Sequence, residues 1–487
     1  MEASQERYRH ELDRLVGVIT LLLIFAMAAR FAVGPDTWWH LRAGEWIWQH
    51  KALPWVDHFS YTRAGAAWHY PGWPIEVLMY GLVRLGGLGA LSLWQAVMMT
   101  AVFAVVWKMA SGHPFLKAAL LLLGAVTASF HWTARPYLLT LLFSVLFLWL
   151  LQQWKAGRRK MLWWLPALMV IWVNSHGGYI LGLVWWGVYF AAALGQCIVR
   201  RREGGEGCRA LRDLALAGAL LVAAILVNPY GAEMLQYPFY TLHMEATKSF
   251  IAEWQSPDFH MTLFWPLLGM LLLVVAGAAL SARRWALEEV LLTVGMVYMV
   301  LNWRRNVDLF AVVTAPILAR YWHEILSEAG KHLPRRAPRD AKAWHPRINL
   351  AMVALLALGA FFKAGVVALP DLTERAVARQ YPVEAVQFLQ ALPVEGHLFN
   401  DYNWGGFLTW RLREYPVFID GRADLYGDDF IEQWLRVVKA KPGWEAQLDY
   451  WGVRRVLIRP QTPLGDALRR RGWQLRYQDD KSEVYVR

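Results

Sequence analysis

The stretch "GPDTWWHLRAGEWIWQH" (34–50) follows directly on the apolar run "VGVITLLLIFAMAARFAV" (16–33). The run is the length a helix needs to cross about 30 Å of hydrocarbon. An acid, adjacent tryptophans, two histidines and an arginine are more than the end of a membrane helix requires. The stretch predicts an aromatic-rich helix lying against the membrane surface, with Trp38, Trp39, Trp46 and Trp48 as an interfacial belt. Asp36 falls at its start, where a carboxylate would cap an orphan backbone N–H. His40, four residues on, shares a helix face with Asp36. Anchoring explains the tryptophans and leaves Asp36 and His40 without a purpose.

Outward from this stretch the same kind of run recurs to Leu369. The chain has 487 residues, and its 57% hydrophobic content with only 18% charged residues excludes an ordinary soluble domain. Its formal charge of +12 sits in short basic stretches between the apolar runs, which is the signature of cytoplasmic loops. No basic patch interleaved with aromatics lies outside those loops, so nucleic acid is not an expected partner. The two cysteines, Cys197 and Cys208, imply no disulfide framework.

Placing the N-terminus, Lys108 to Lys117, "KAGRRK" (155–160), "RREGGEGCRALR" (201–212), "ARR" (282–284) and the loop 325–347 in the cytoplasm fixes the topology. Crossings then fall near 16–33, 89–110, 115–131, 137–153, 161–174, 179–198, 213–228, 262–281, 286–302, 308–322 and 348–369, about eleven in all. The short apolar segment 74–86 becomes re-entrant or interfacial. Residues 1–369 form the membrane domain, with a first external loop at 34–88. Residues 370–487 read as an extracytoplasmic α/β domain, in which "HLFND", "YPVFID", "RRVLIRP", "WQLRY" and "EVYVR" alternate with helical segments. The protein is expected in a bacterial cytoplasmic (inner) membrane with a cytoplasmic N-terminus.

This topology collects the unusual polar residues on the outer side, in "HWTARP" (131–136), "NSHGG" (174–178), "EWQSPDFH" (253–260), "WRRNVD" (303–308), "NDYNWGG" (400–406) and "FIDGRADLYG" (418–427). Ionisable groups at membrane depth are costly and mark function. Arg135 and the pair Arg304 and Arg305 suit phosphate geometry. His176 and Glu253 are boundary residues able to hydrogen-bond a ligand or their own loops. Asp401 and Asp420 each end an expected strand, where open α/β sheets place ligands. Trp404 lies in a glycine turn that would let backbone approach an acceptor. Arg422 is expected to pair with the neighbouring carboxylates. A transporter would instead carry its charges or helix breaks near the bilayer midplane.

The first external loop, "GPDTWWHLRAGEWIWQH" followed by "PWVDHFSYTRAGAAW" (54–68), resembles that of GT-C fold glycosyltransferases, above all oligosaccharyltransferase catalytic subunits. An external arginine in the second loop, many spans and a C-terminal extracytoplasmic α/β domain also fit. Uncharacterised bacterial relatives share stretches like "NDYNWGG" and "FIDGRADLYG". The resemblance implies a polyprenyl-phosphate-linked sugar donor, an extracytoplasmic acceptor, Asp36 as catalytic residue, and His40, Arg135, His176, Arg304, Arg305, Asp401 and Trp404 in substrate binding. A divalent cation, Mg or Mn, is the implied cofactor. "HWTARPYLLT" lacks the acidic pair of the second external loop, and no Trp-Trp-Asp acceptor motif is present. A GT-C-like scaffold that binds lipid or a partner protein without catalysis is the alternative.

Overall fold

The computed structural model describes residues 2–202, 209–242, 251–331 and 346–487. Most of the basic loops expected at 201–212 and 325–347 lies outside them. A helix stands at each position where a crossing is expected. Six, Gly89–Met109, Pro114–His131, Tyr137–Lys155, Gly177–Val199, Thr262–Leu280 and Pro346–Val367, are long and apolar enough to cross a membrane. Others depart from that measure for visible reasons. Trp164–Val173 is a single short helix after a 3-10 turn, Arg209–Ile225 and Leu287–Asn302 are short, and Val307–Lys331 carries charges along its second half. Cys197 is disulfide-bonded, which corrects the reading of the cysteines as unbridged.

The stretch 34–50 forms the helix Pro35–His50. Its N-cap is Gly34, not Asp36, and proline occupies the first turn, where a missing N–H costs nothing. Thr37 holds the start, its hydroxyl accepting from the Gly34 amide at 3.0 Å and donating to the Ala134 carbonyl at 2.9 Å. Asp36 is thereby released from capping. The segment 74–86 is the helix Trp73–Gly86, packed against Pro35–His50 so closely that a Cβ on Gly44 would lie 2.0 Å from the Glu76 carbonyl oxygen.

The tail carries a four-stranded sheet of β1 (His397–Asn400), β2 (Val453–Ile458), β3 (Gln474–Gln478) and β4 (Glu483–Val486), in the order β1-β2-β4-β3. β1 and β2 are parallel, and β4 is antiparallel to both β2 and β3. The expected strand "YPVFID" is not part of it. Asn400 is the reason: its side chain accepts from Phe418 N and donates to the Ile419 carbonyl, both at 2.8 Å, in place of a backbone ladder. Freed from the sheet, Val417 bonds instead to Phe59 and Tyr61 of the loop 51–72. "NWGG" is likewise no turn; it lies in the helix Tyr402–Arg411. Its glycines serve close packing, since a Cβ on Gly405 would stand 2.0 Å from the Ile419 carbonyl and one on Gly406 2.7 Å from that of Pro35.

Trp38 therefore does not anchor in a lipid interface. It is fully buried, edge-on to Tyr381 and Phe407 at 5.4 and 5.1 Å, and joins the tail to the first loop in one apolar cluster. Trp39 is buried against Trp68 and Tyr70, whereas Trp48 remains exposed as a belt residue would.

Candidate functional site

Four loops converge on Asp36. The loop 131–136 is stitched to the loop after the first helix by Ala134 N donating to the Ala32 carbonyl at 2.7 Å, beside the Thr37 bond to Ala134. Arg135, the next residue, is thus aimed at Asp36. One guanidinium nitrogen, Nη1, lies 3.3 Å from Asp36 Oδ2 and 3.3 Å from Glu253 Oε1. Glu253 sits in a 3-10 turn at Ala252–Trp254, and Arg304 N donates to the Gln255 carbonyl at 2.9 Å, tying this loop to Arg304–Asn306. Arg305 lies over the Trp254 ring at 4.3 Å. The fourth contributor is the tail: a Cβ on Gly421 would stand 2.4 Å from Asp36 Oδ1 and 3.2 Å from the Trp39 indole nitrogen.

These contacts set the electrostatics. Burial raises the Asp36 carboxyl above its ordinary pKa, with Arg135 pulling it down and Glu253 pushing it up. The Arg135 charge holds Glu253 down at about 2 despite burial. Burial lowers the Arg135 pKa, but Glu253 and Asp36 more than offset this and keep the guanidinium charged. Asp36 accepts from the Trp39 indole at 3.2 Å, so one oxygen faces Trp39 and Gly421 and the other Arg135. A third of the Asp36 side chain stays open to solvent, which leaves room for a substrate proton donor.

A second charged cluster clamps the tail over this site. The Arg422 guanidinium donates to both oxygens of Asp420, at 2.7 Å from Nη2 and 2.9 Å from Nε, and from Nη1 to Asp57 at 2.6 Å. All three side chains are wholly shielded from water. Asp57 also accepts from the amides of Phe59 and Ser60 and from the Ser60 hydroxyl. A buried charge with this many partners is tolerable, but with one partner removed it is costly. The expected internal pairing of Arg422 is present, and it extends to a loop more than three hundred residues away in the chain.

Of the residues singled out from the sequence, Asp36, Arg135 and Arg305 meet at one place, and Arg304 stands on the same turn as Arg305. Among the described residues neither Arg304 nor Arg305 makes an ion pair. His40 is buried and bonded to Glu76 at 3.0 Å, and burial together with nearby His176 and Arg135 holds it neutral. His176 caps the turn Gly177–Tyr179, accepting from Gly178 N at 2.9 Å, with the Thr140 hydroxyl at the same distance. Burial, with Arg305 and Arg135 beside it, lowers the His176 pKa to about 3, so it faces the site as a neutral ring. Asp401 and Trp404 have partners of their own in the tail and beside Trp38. Asp401 caps the helix Tyr402–Arg411 and pairs with Arg459 at 3.1 Å, and the Arg459 guanidinium lies over Trp404. Glu253, read from the sequence as the start of a polar turn, stands beside Arg135. Asp57 gains a role as the distant partner of Arg422.

The residues present do not fit a divalent cation. Its ligands would have to be several oxygens at about 2.0–2.6 Å. The Asp36 and Glu253 carboxylates instead share a guanidinium nitrogen, and among the described residues no group of three or more His, Cys, Asp or Glu could hold a metal ion.

The sequence matches no protein-family profile and no curated protein. Its structure is similar to that of oligosaccharyltransferase AglB from Archaeoglobus fulgidus in complex with an inhibitory peptide and a dolichol-phosphate, with a TM-score of 0.53 and 12% identity over 91% of this chain and 69% of that one. It is also similar to ArnT from Cupriavidus metallidurans bound to undecaprenyl phosphate, with a TM-score of 0.51 and 17% identity over 98% of this chain and 97% of that one. The apo state of the same ArnT gives a TM-score of 0.52 over 100% of this chain.

Proposed function

We propose that this chain, which has the GT-C fold, is a glycosyltransferase that takes a sugar from a polyprenyl-phosphate carrier and passes it to an acceptor on the outer face of a bacterial cytoplasmic membrane. The observation that carries the reading is the convergence of Asp36, Arg135 and Glu253 beneath Gly421, with Arg304 and Arg305 alongside. That set holds two partly open carboxylates, of which only Asp36 is raised above its ordinary pKa, beside three arginines, which is what transfer from a phosphate leaving group requires.

In the proposed step the acceptor X–H attacks the anomeric carbon from the face opposite the carrier, with inversion. The proton passes to an oxygen of Asp36 as the new X–C bond forms. The carbon–oxygen bond to the carrier phosphate breaks, its electron pair stays on the phosphate, and the arginines meet that charge. The buried elevation of the Asp36 pKa makes it a stronger base than an exposed aspartate. His40 and His176, both neutral, are assigned to positioning the donor. Asp401 and Trp404 are left to the tail's own capping and packing.

The same reading sets residues 1–369 as the membrane domain, with the eleven crossings and a cytoplasmic N-terminus, and residues 370–487 as the extracytoplasmic domain that completes the site. The reading is tested by incubating the purified full-length protein with labelled polyprenyl-phosphoryl sugars. Asp36-dependent release or transfer of label supports it. Tight lipid binding with no Asp36-dependent turnover would assign the chain to a non-catalytic scaffold.

A further inference from the structure

The ion triad at the centre of the site decides which cation works there. Nη1 of Arg135 stands 3.3 Å from an oxygen of each of two carboxylates, Asp36 and Glu253, which approach it from different loops. This is the bridging place that a metal ion joining those carboxylates would take. The surroundings do not invite a second cation. Arg305 lies on the Trp254 ring next to Glu253 and Arg304 precedes it, so three arginines stand around the two carboxylates, while the nearest further carboxylate, Asp308, is turned to the Tyr137 hydroxyl at 2.8 Å. Such a site attracts an anion and repels a divalent cation. Arg135 also has capacity to spare: its Nε is buried without a hydrogen-bond partner, and its carboxylate contacts engage Nη1 alone among the described residues. A guanidinium pinned at one nitrogen by two carboxylates presents its remaining N–H groups in a fixed fork, the geometry that matches two phosphate oxygens.

We propose that Arg135 stands in for a divalent cation at this site, so that sugar transfer proceeds without a metal and the Arg135 guanidinium, seconded by Arg305, takes up the charge left on the carrier phosphate. The proposal rests on the transferase reading above. As the bond from the anomeric carbon to the phosphate oxygen breaks, that oxygen keeps the electron pair. The Nη2 donors of Arg135, which no carboxylate engages among the described residues, receive it. Asp36 and Glu253 hold the guanidinium in place, and Asp36 collects the acceptor proton. Glu253 acts through Arg135 and is a positioning residue.

The test measures Mn(II) binding by electron paramagnetic resonance on the full-length protein in nanodiscs, beside transfer assays in excess chelator. The expected result is that the wild-type protein leaves the free Mn(II) signal unchanged and keeps its turnover in chelator. Arg135→Asp, which adds a third carboxylate and removes the cation, is expected to acquire Mn(II) binding that Asp36→Asn abolishes. Arg135→Gln is expected to lose about 10²–10³-fold in transfer, the cost of removing one preorganised charge-stabilising donor, and to regain none of it with Mn(II) or Mg(II). Asp36-dependent Mn(II) binding by the wild-type protein overturns the proposal, as does turnover lost in chelator and restored by metal. A folded Arg135→Asp protein that takes up no Mn(II) overturns it as well. If no sugar is transferred under any condition, the transferase reading fails, while the Mn(II) measurement still decides which cation the site accepts.

Discussion

Gly421→Ala is the sharpest probe of how the tail completes the site. Gly421 has an ordinary backbone conformation, outside the left-handed region, so alanine fits the chain there without strain. The added Cβ, however, would lie 2.4 Å from Asp36 Oδ1, where an ordinary contact begins at 3.4 Å. About 1 Å must be found by moving Asp36 or the loop above it, and a misplacement of that size at a reacting group costs about 10²-fold in rate. Asp36 has little freedom to give, because its second oxygen is held by Arg135 at 3.3 Å and the Trp39 indole donates to the first at 3.2 Å. The assay is transfer of labelled sugar at saturating donor by the detergent-purified variant, with thermal unfolding measured in parallel. The expected outcome is a loss of about two decades in turnover with a melting curve close to wild type. Gly187→Ala, where a Cβ meets nothing within 4 Å, is the control and should change neither. Near-normal turnover of Gly421→Ala would refute the placement of Asp36 as the reacting carboxylate beneath the tail.

Asp36→Asn should fold and insert normally, because Thr37 and not Asp36 holds the helix start, and should lose about 10²–10⁴-fold in transfer through loss of the base; turnover and a melting curve check both halves. Turnover should fall as pH drops through the raised pKa of Asp36, since only the ionised carboxylate accepts the proton; a profile flat down to the ordinary carboxylate range would contradict this. Glu253 carries the opposite linkage. Its pKa falls from 4.5 to about 2 on folding, so its contribution to stability is whole above 4.5 and fades as pH drops towards 2. Acid titration of unfolding should therefore be shallower in Glu253→Gln over that window. Arg422→Met leaves two buried carboxylates unpaired and should cost about 3–5 kcal/mol, read as a lowered unfolding midpoint and as early proteolytic release of the tail.

The features that were legible in the sequence are those governed by local pattern. Apolar runs marked the helices, and the stretch after the first run marked a helix whose start was read at Asp36, two residues inside the actual N-cap, Gly34. Asp36, Arg135 and Arg305 could be singled out because each is an ionisable group at the outer end of an apolar run. Their meeting could not be read, because it depends on pairings such as Thr37 with Ala134 and Arg304 with Gln255 that have no sequence period. "YPVFID" has the composition of a strand, but its hydrogen bonds go to the Asn400 side chain and to Phe59 and Tyr61, and composition cannot say which partner a backbone takes. Trp38 looks like a belt tryptophan by position and is a packing residue only because the tail returns to cover it.

The clasp of Asp57 by Arg422 has a consequence in time as well as in space. The two residues are 365 positions apart, and a ribosome adding about 5–20 residues per second needs roughly 20–70 s to travel from one to the other. Throughout that interval Asp57 is on the nascent chain and its counter-ion does not yet exist. The loop carrying Asp57 must therefore wait, hydrated and unclosed, while the remaining hydrophobic segments are made. Asp36 acquires its roof only when Gly421 and Arg422 arrive together, so a chain interrupted anywhere upstream leaves that pocket unfinished.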